Sequence, residues 1–416
     1  MIKGVNMKTI KIFLLAVIVL CTFSALSAAQ DGQIQWDTIP QQTRVALFEA
    51  QQAMNESRFQ DAIDSLVKFQ KRKKKYDHFL IEFNIGTAYG FLGDVDKAVE
   101  HLHKATEIET TYAPLWLNLG KLYYQKKDFL HSAAALEKGF VCSLQKNSEV
   151  LFMAMAAYYQ GENLEKTIEI GEELVSTYNK DSFEIVSLLA NAYVTTNNYT
   201  GAIDMLNRLL NKNPSNEKAW KLLTQAYFKN QQYREAAISY EIYGFLQPIT
   251  RDELIVMGDL FNMIGIPLRA AHYYHKALKD GGSPKEYEKM SVAYYSAYEF
   301  NDAIDAIDRA LDTEKTSERL LLKAQLFYLQ DKFGEAQKLY VSAAETMSKD
   351  GHEWLMAGYC AMRNNEIKIA KELLHKATGF PSQRQEALAM LKMMQPVEEV
   401  KRLMAAFEEQ MKHTKN

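Results

Sequence analysis

A small residue recurs along this chain at nearly fixed spacing. It falls at Ala62, Ala98, Ser132, Thr167, Ala202, Ala236, Ala270, Ala303, Ala336 and Ala370, in steps of 33 to 36 residues. A period of this size marks a repeat array, in which each unit is one supersecondary element that cannot bury its apolar face alone. Counting the small residue as position twenty, other residue types keep the same register. Trp116, Trp220 and Trp354 all fall at position four, and Tyr89, Tyr123, Tyr158, Tyr193, Tyr227, Phe261, Tyr294 and Phe327 at position eleven. Pro214 and Pro248 stand where a repeat closes.

Large residues at positions four, seven and eleven lie on one face of a helix. Small residues at positions eight and twenty let two helices approach closely. Each copy therefore reads as a helical hairpin. The composition agrees: Gly and Pro number 19 and 8 among 416 residues, well under the roughly 12% usual for the pair. A chain this long exceeds the roughly 250–300 residues at which single cores stop growing, and a linear array avoids that limit. The net charge of −3 supplies no basic field for nucleic acid, so no nucleic-acid partner is expected.

The pattern resembles the tetratricopeptide repeat family over about Thr43 to Arg384. That resemblance implies an all-α fold, an α-solenoid coiled as a right-handed superhelix of about ten hairpins, with first helices lining a concave groove. Three copies depart from it. The first has Ala50 and Ala53 in place of larger landmarks, the fourth has Met155 and Thr167 in place of small ones, and the tenth has Ala361 where an aromatic is usual.

Residues 1–29 read as a signal peptide. Lys3, Lys8 and Lys11 precede an apolar run from Ile12 to Val19, weaker to Leu26, and then Ser27, Ala28 and Ala29. Cleavage after Ala29 and export to a periplasm are expected; retention of the segment as an anchor is the rival reading. Leu20 before Cys21 is too large for lipidation. Residues 30–42 read as a polar linker and 43–384 as the repeats. Residues 385–416 read as capping helices and tail, with Val397, Val400, Leu403, Met404, Phe407 and Met411 on one apolar stripe. Cys142 and Cys360 are read as small hydrophobes.

The sequence carries no HExxH, GxSxG, P-loop or CxxC motif, so neither enzymatic activity nor a cofactor or metal is expected. His272 and His275 share a helix face without a third ligand nearby, and His101 and His103 diverge on theirs. Lys71, Arg72, Lys73, Lys74 and Lys75 form a basic run that either solvates a helix end or meets anionic lipid or an acidic partner.

By analogy with the family, positions two, five, nine, twelve and thirteen of the first helices line the groove. The expected peptide-binding residues are Lys121, Tyr124, Tyr159, Asn191, Lys218, Lys221, Gln225, Phe228, Asp259, Asn262, Lys285 and Tyr295. Some relatives clamp a terminal carboxylate with Lys, Asn, Asn, Lys and Arg. Here those positions hold Lys221, Gln225, Val256, Lys285 and Lys289, and Val256 breaks the set. The expected role is an exported interaction scaffold for extended segments. The overall layout resembles the periplasmic repeat proteins that accompany TonB–ExbB–ExbD energy transduction, which would make TonB, ExbB or ExbD components partners. A scaffold in envelope assembly (outer-membrane protein, polysaccharide or pilus biogenesis) or a chaperone-like peptide binder are the alternatives.

Overall fold

The computed structural model describes residues 34–347 and 349–394, with Arg402 and Met404. The signal-peptide segment and all of the C-terminal stripe except Met404 lie outside them. The described chain is helical, and its helices pair into hairpins. It divides into two compact units, Met1–Gln247 and Pro248–Asn416.

In the first unit the hairpins are α1 (Gln41–Asn55) with α2 (Phe59–Arg72), α3 (Phe79–Leu92) with α4 (Val95–Ile108), and α5 (Ala113–Gln125) with α6 (Phe129–Cys142). They continue as α7 (Ser148–Gln160) with α8 (Leu164–Ser176), α9 (Phe183–Thr195) with α10 (Tyr199–Lys212), and α11 (Glu217–Lys229) with α12 (Tyr233–Leu246). The second unit has α13 (Arg251–Met263) with α14 (Pro267–Ala277) and α15 (Pro284–Ser296) with α16 (Phe300–Thr313). It continues with α17 (Ser317–Leu329) and α18 (Phe333–Met347), then α19 (His352–Arg363) and α20 (Ile367–Thr378). Pro114, Pro267 and Pro284 stand in first turns, where a missing N–H costs nothing.

The sequence period reappears in the backbone. One left-handed residue joins the two helices of every hairpin: Ser57, Gly93, Lys127, Glu162, Asn197, Gln231, Gly265, Tyr298, Asp331 and Asn365. Each lies five residues before the recurring small residue. The amide after it bonds back to the carbonyl of position eleven, as in Asp128 N to Tyr123 O at 2.9 Å and Asn198 N to Tyr193 O at 2.7 Å. This is a Schellman closure, which satisfies orphan carbonyls at the helix end. Asp94, Asp128, Asn163 and Asn198 then cap the second helix with their side chains.

All ten small residues at position twenty have no exposed surface. Position eight faces position twenty-four. A Cβ on Gly120 would lie 2.6 Å from Leu136 Cγ, and one on Gly358 2.7 Å from Leu374 Cγ. The anomalous fourth copy obeys the same rule with the sizes exchanged: Met155 fills position eight, and Gly171, at position twenty-four, meets its Cε. Gly258 makes room for the ring of Tyr274. Where position eight or twenty is Ser, its hydroxyl bonds across the contact: Ser132 Oγ donates to Gly120 O, and Ser291 Oγ to Ala303 O, both at 2.7 Å.

Neighbouring hairpins in the first unit join through the position-eleven tyrosines. Tyr158 donates to Glu137 at 2.6 Å, Tyr193 to Glu172, and Asn207 to Tyr227 at 3.4 Å, while Tyr123 meets His103. Trp116 and Trp220 each donate at 2.8 Å to a carbonyl six residues back, of Thr110 and Pro214. At the far end of the second unit, residues 384–394 form a helix whose Ala387 and Met394 are buried with Trp354 and Leu374. That helix covers the last hairpin. Met404 is exposed. Within the stretch read as a polar linker, Ile39 is 2% exposed and Gln41 already opens α1.

Gly258→Ala should lower the unfolding free energy by about 1–3 kcal/mol through overpacking. Paired with Tyr274→Leu it should cost less than the sum of the two single changes, which a denaturant double-mutant cycle measures. Gly93 has open space around it but a φ of 81°. Gly93→Ala should therefore cost about 1 kcal/mol from backbone strain alone, read in the same assay.

Candidate functional site

The first helices of the opening hairpins form the walls of a cleft of about 890 Å³. Clefts of roughly 300–1,000 Å³ are the usual size for holding a ligand. Leu47 of α1, Leu80 and Phe83 of α3, and Tyr112 make its apolar floor. The floor is rigid: Tyr112 packs edge-on against Phe79 and Phe83, each at 5.3 Å between ring centres. Trp36, Val45 and Phe48 stand at its rim, 41%, 51% and 72% exposed. Large apolar groups held in water beside a concavity are a common mark of a contact surface.

Arg44 places a cation in this apolar wall. Among the described residues its one ion pair is a loose contact of 3.9 Å to the solvated Asp37, and its buried Nε has no hydrogen-bond partner. Gln41, Gln51, Gln52, Glu49 and Asn84 add amides and one carboxylate. The combination suits an apolar segment that carries a carboxylate. Arg44, Leu47 and Gln51 occupy positions two, five and nine of the first copy, and Leu80 and Phe83 occupy two and five of the second. These are the family's groove positions. The expected set omitted Arg44 because the first copy matches the pattern weakly, and it omitted Trp36 because that residue was read as linker.

Several expected groove residues are engaged inside the protein. Phe228 packs edge-on against Tyr233 at 5.5 Å and Tyr124 against Phe129 at 5.2 Å, while Tyr295 tilts over Phe300 at 6.4 Å. Each pair is five residues apart and clasps a hairpin corner. Burial raises the hydroxyl pKa of both Tyr124 and Tyr159. Asn191 donates to Ser187 O in its own helix at 2.7 Å. Lys221 reaches the Tyr243 hydroxyl at 3.3 Å, and Lys218 lies 5.9 Å from the centre of the Phe183 ring. Gln225 has a buried Nε2 without a partner. Lys121 is half-buried in α5.

In the second unit, Asp259 accepts hydrogen bonds from Tyr274 at 2.6 Å and from Lys289 at 2.6 and 2.8 Å. It thereby ties α13 to α14 and α15. Asn262 and Lys285 are exposed, and Tyr295 accepts from Gln325 at 3.1 Å.

The four histidines singled out in the sequence each contact a neighbouring side chain. His101 pairs with Glu82 at 2.6 Å while His103 turns to Tyr123. His272 lies edge-on to Tyr273, and His275 is 3.5 Å from the Tyr294 hydroxyl. Among the described residues no group of three or more His, Cys, Asp or Glu could hold a metal, and no helix is long and apolar enough to cross a membrane. Cys142 and Cys360 are free thiols, and burial pushes Cys360 up to about 12, which leaves it little thiolate at neutral pH.

A sequence model of the tetratricopeptide repeat matches residues 83–112, and one of anaphase-promoting complex (cyclosome) subunit 3 matches residues 160–241. Residues 83–112 thus resemble a tetratricopeptide repeat. A TPR repeat-containing protein of Pseudomonas aeruginosa is 33% identical over 66 residues, which span 16% of this chain and 63% of that protein. Among solved structures, a tetratricopeptide repeat protein of Parabacteroides merdae is 16% identical, covering 61% of this chain and 99% of its own, with a TM-score of 0.35. The C-terminal part of a TPR repeat-containing protein of Cytophaga hutchinsonii is 18% identical, with coverages of 57% and 98% and a TM-score of 0.40. Yeast Tom70 is 13% identical, with coverages of 86% and 96% and a TM-score of 0.31. Values this low carry no inference about partner or pathway. As a class, tetratricopeptide repeats bind protein partners.

Glu82 shows how the site's frame depends on pH. Burial works to raise its carboxyl pKa, but hydrogen bonds from His101 and Gln70 outweigh burial and hold it below the usual value. A depressed carboxyl contributes stability above its unfolded pKa and loses it as pH falls through the folded one. Acidification below about 4.5 should loosen the α2–α3–α4 contact. Glu82→Gln should cost about 1–2 kcal/mol at neutral pH and flatten that acid limb, as followed by thermal unfolding across pH.

Proposed function

We propose that this chain is an exported, non-catalytic scaffold that captures a segment of a partner protein in the cleft between α1 and α3. The observation that supports this most is the cleft itself, with its rigid aromatic floor, exposed apolar rim and incompletely paired cation. The partner segment would bury bulky side chains against Phe48, Val45 and Phe83 and set a carboxylate against Arg44. A hydrogen bond to a charged group is worth about 1.5–3 kcal/mol, enough to fix the direction of a bound segment.

The setting we propose is a periplasm, reached after cleavage near Ala29. The role is accessory to TonB-dependent transport, with TonB, ExbB or ExbD components as partners. Crosslinking in intact cells followed by purification of this chain tests that setting; recovery of none of the three would remove it while leaving the cleft standing.

The cleft has its own test. Peptides selected on the purified chain from a displayed library should combine apolar residues with a carboxylate. Phe48→Asp should weaken them at least tenfold, given roughly 1.5–3 kcal/mol for a buried aromatic side chain. Helical content should stay unchanged, since Phe48 is 72% exposed. Equal binding by the variant would remove this cleft as the capture site.

A further inference from the structure

The connection between the first and second hairpins carries a feature that peptide capture does not use. Lys71 and Arg72 end α2, Lys73 caps it, and Lys74 and Lys75 open the short 3-10 turn Lys74–Tyr76. All five cations are exposed, and none forms an ion pair with a described residue. The carboxylates that follow are engaged elsewhere. Asp77 accepts from Gln70 at 3.2 Å and from its neighbour's amide, and Glu82 from Gln70 and His101. The turn is fixed in place, because Thr43 Oγ1 on α1 donates to Tyr76 O at 2.8 Å.

From this arrangement we propose that this connection is an electrostatic docking site for an anionic lipid surface. Two observations favour lipid over an acidic peptide. First, none of the five cations lines the peptide cleft or the smaller hollow beside Phe69, so a segment seated in either is not held by them. Second, four of the five are lysines, which act as hydrated point charges on flexible stems. A site built for bidentate capture of a discrete carboxylate or phosphate would favour arginine. An exposed run of solvated lysines suits a diffuse field of head groups, where each cation near the surface adds attraction and salt screens it. This inference does not depend on what the cleft binds.

The full chain can be tested by co-sedimentation with vesicles of phosphatidylcholine alone and of phosphatidylcholine with phosphatidylglycerol. The expected result is binding that needs phosphatidylglycerol and fades as salt is raised. The triple variant K73Q/K74Q/K75Q should bind the anionic vesicles on the order of a hundredfold more weakly, at about fivefold per charge. Its circular dichroism should match that of the parent chain, because these side chains are exposed. The apolar run Ile12–Leu26 can hold vesicles of either kind, so the difference between lipids and between variants carries the test. Equal binding by parent and triple variant overturns the proposal. So does failure to bind anionic vesicles by a chain that captures polyglutamate, which would assign the basic run to an acidic polypeptide.

Discussion

The close approach of two helices within each hairpin is the contact on which the rest of this protein depends. It leaves room at positions eight and twenty for little more than a Cβ, or for one large side chain opposite a glycine. Gly120 under Leu136 and Gly258 under Tyr274 show the first solution, and Met155 over Gly171 the second. Protein interiors are packed like organic crystals, so the volume at one position dictates the volume at its mate. The left-handed corner follows from the same demand. Two helices this close need a short connection, and a single residue at positive φ supplies it.

The same economy shapes the groove side. A repeat array exposes a whole row of first helices, and many polar or aromatic groups there look available for a ligand when only sequence position is considered. The side chains find uses at home first. Position-twelve aromatics clasp corners, Asp259 ties three helices together, and Lys221 rests against Tyr243. Such contacts stiffen a surface without preventing it from binding. The first hairpin is different: among the described residues no helix covers the face of α1 that bears Val45 and Phe48. There the apolar residues that neighbouring hairpins would normally bury remain in water.

Much of the fold could be read from the chain. Every hairpin solves the same local problem with the same residue types, so the solution repeats at the same spacing, and the ten corners keep a constant offset from the ten small residues. The fourth copy was harder. Met155 reads as a departure until its partner Gly171, sixteen residues on, is seen beneath it. The cleft was harder still. Trp36 lies in a stretch whose polar composition suggests a linker, and Arg44 belongs to a copy whose landmarks are weak.

What the sequence determined by itself is the unit: a helical hairpin, its length, its corner and its buried small residues. Those depend on contacts within about thirty-four residues, which a period can record. What only the tertiary structure decided is which exposed groups remain available. Phe48 and Phe228 are both aromatic residues on first helices, yet one stands at the rim of a cleft and the other packs on Tyr233. Availability depends on what a neighbouring element happens to cover, and a pattern within one repeat does not record that.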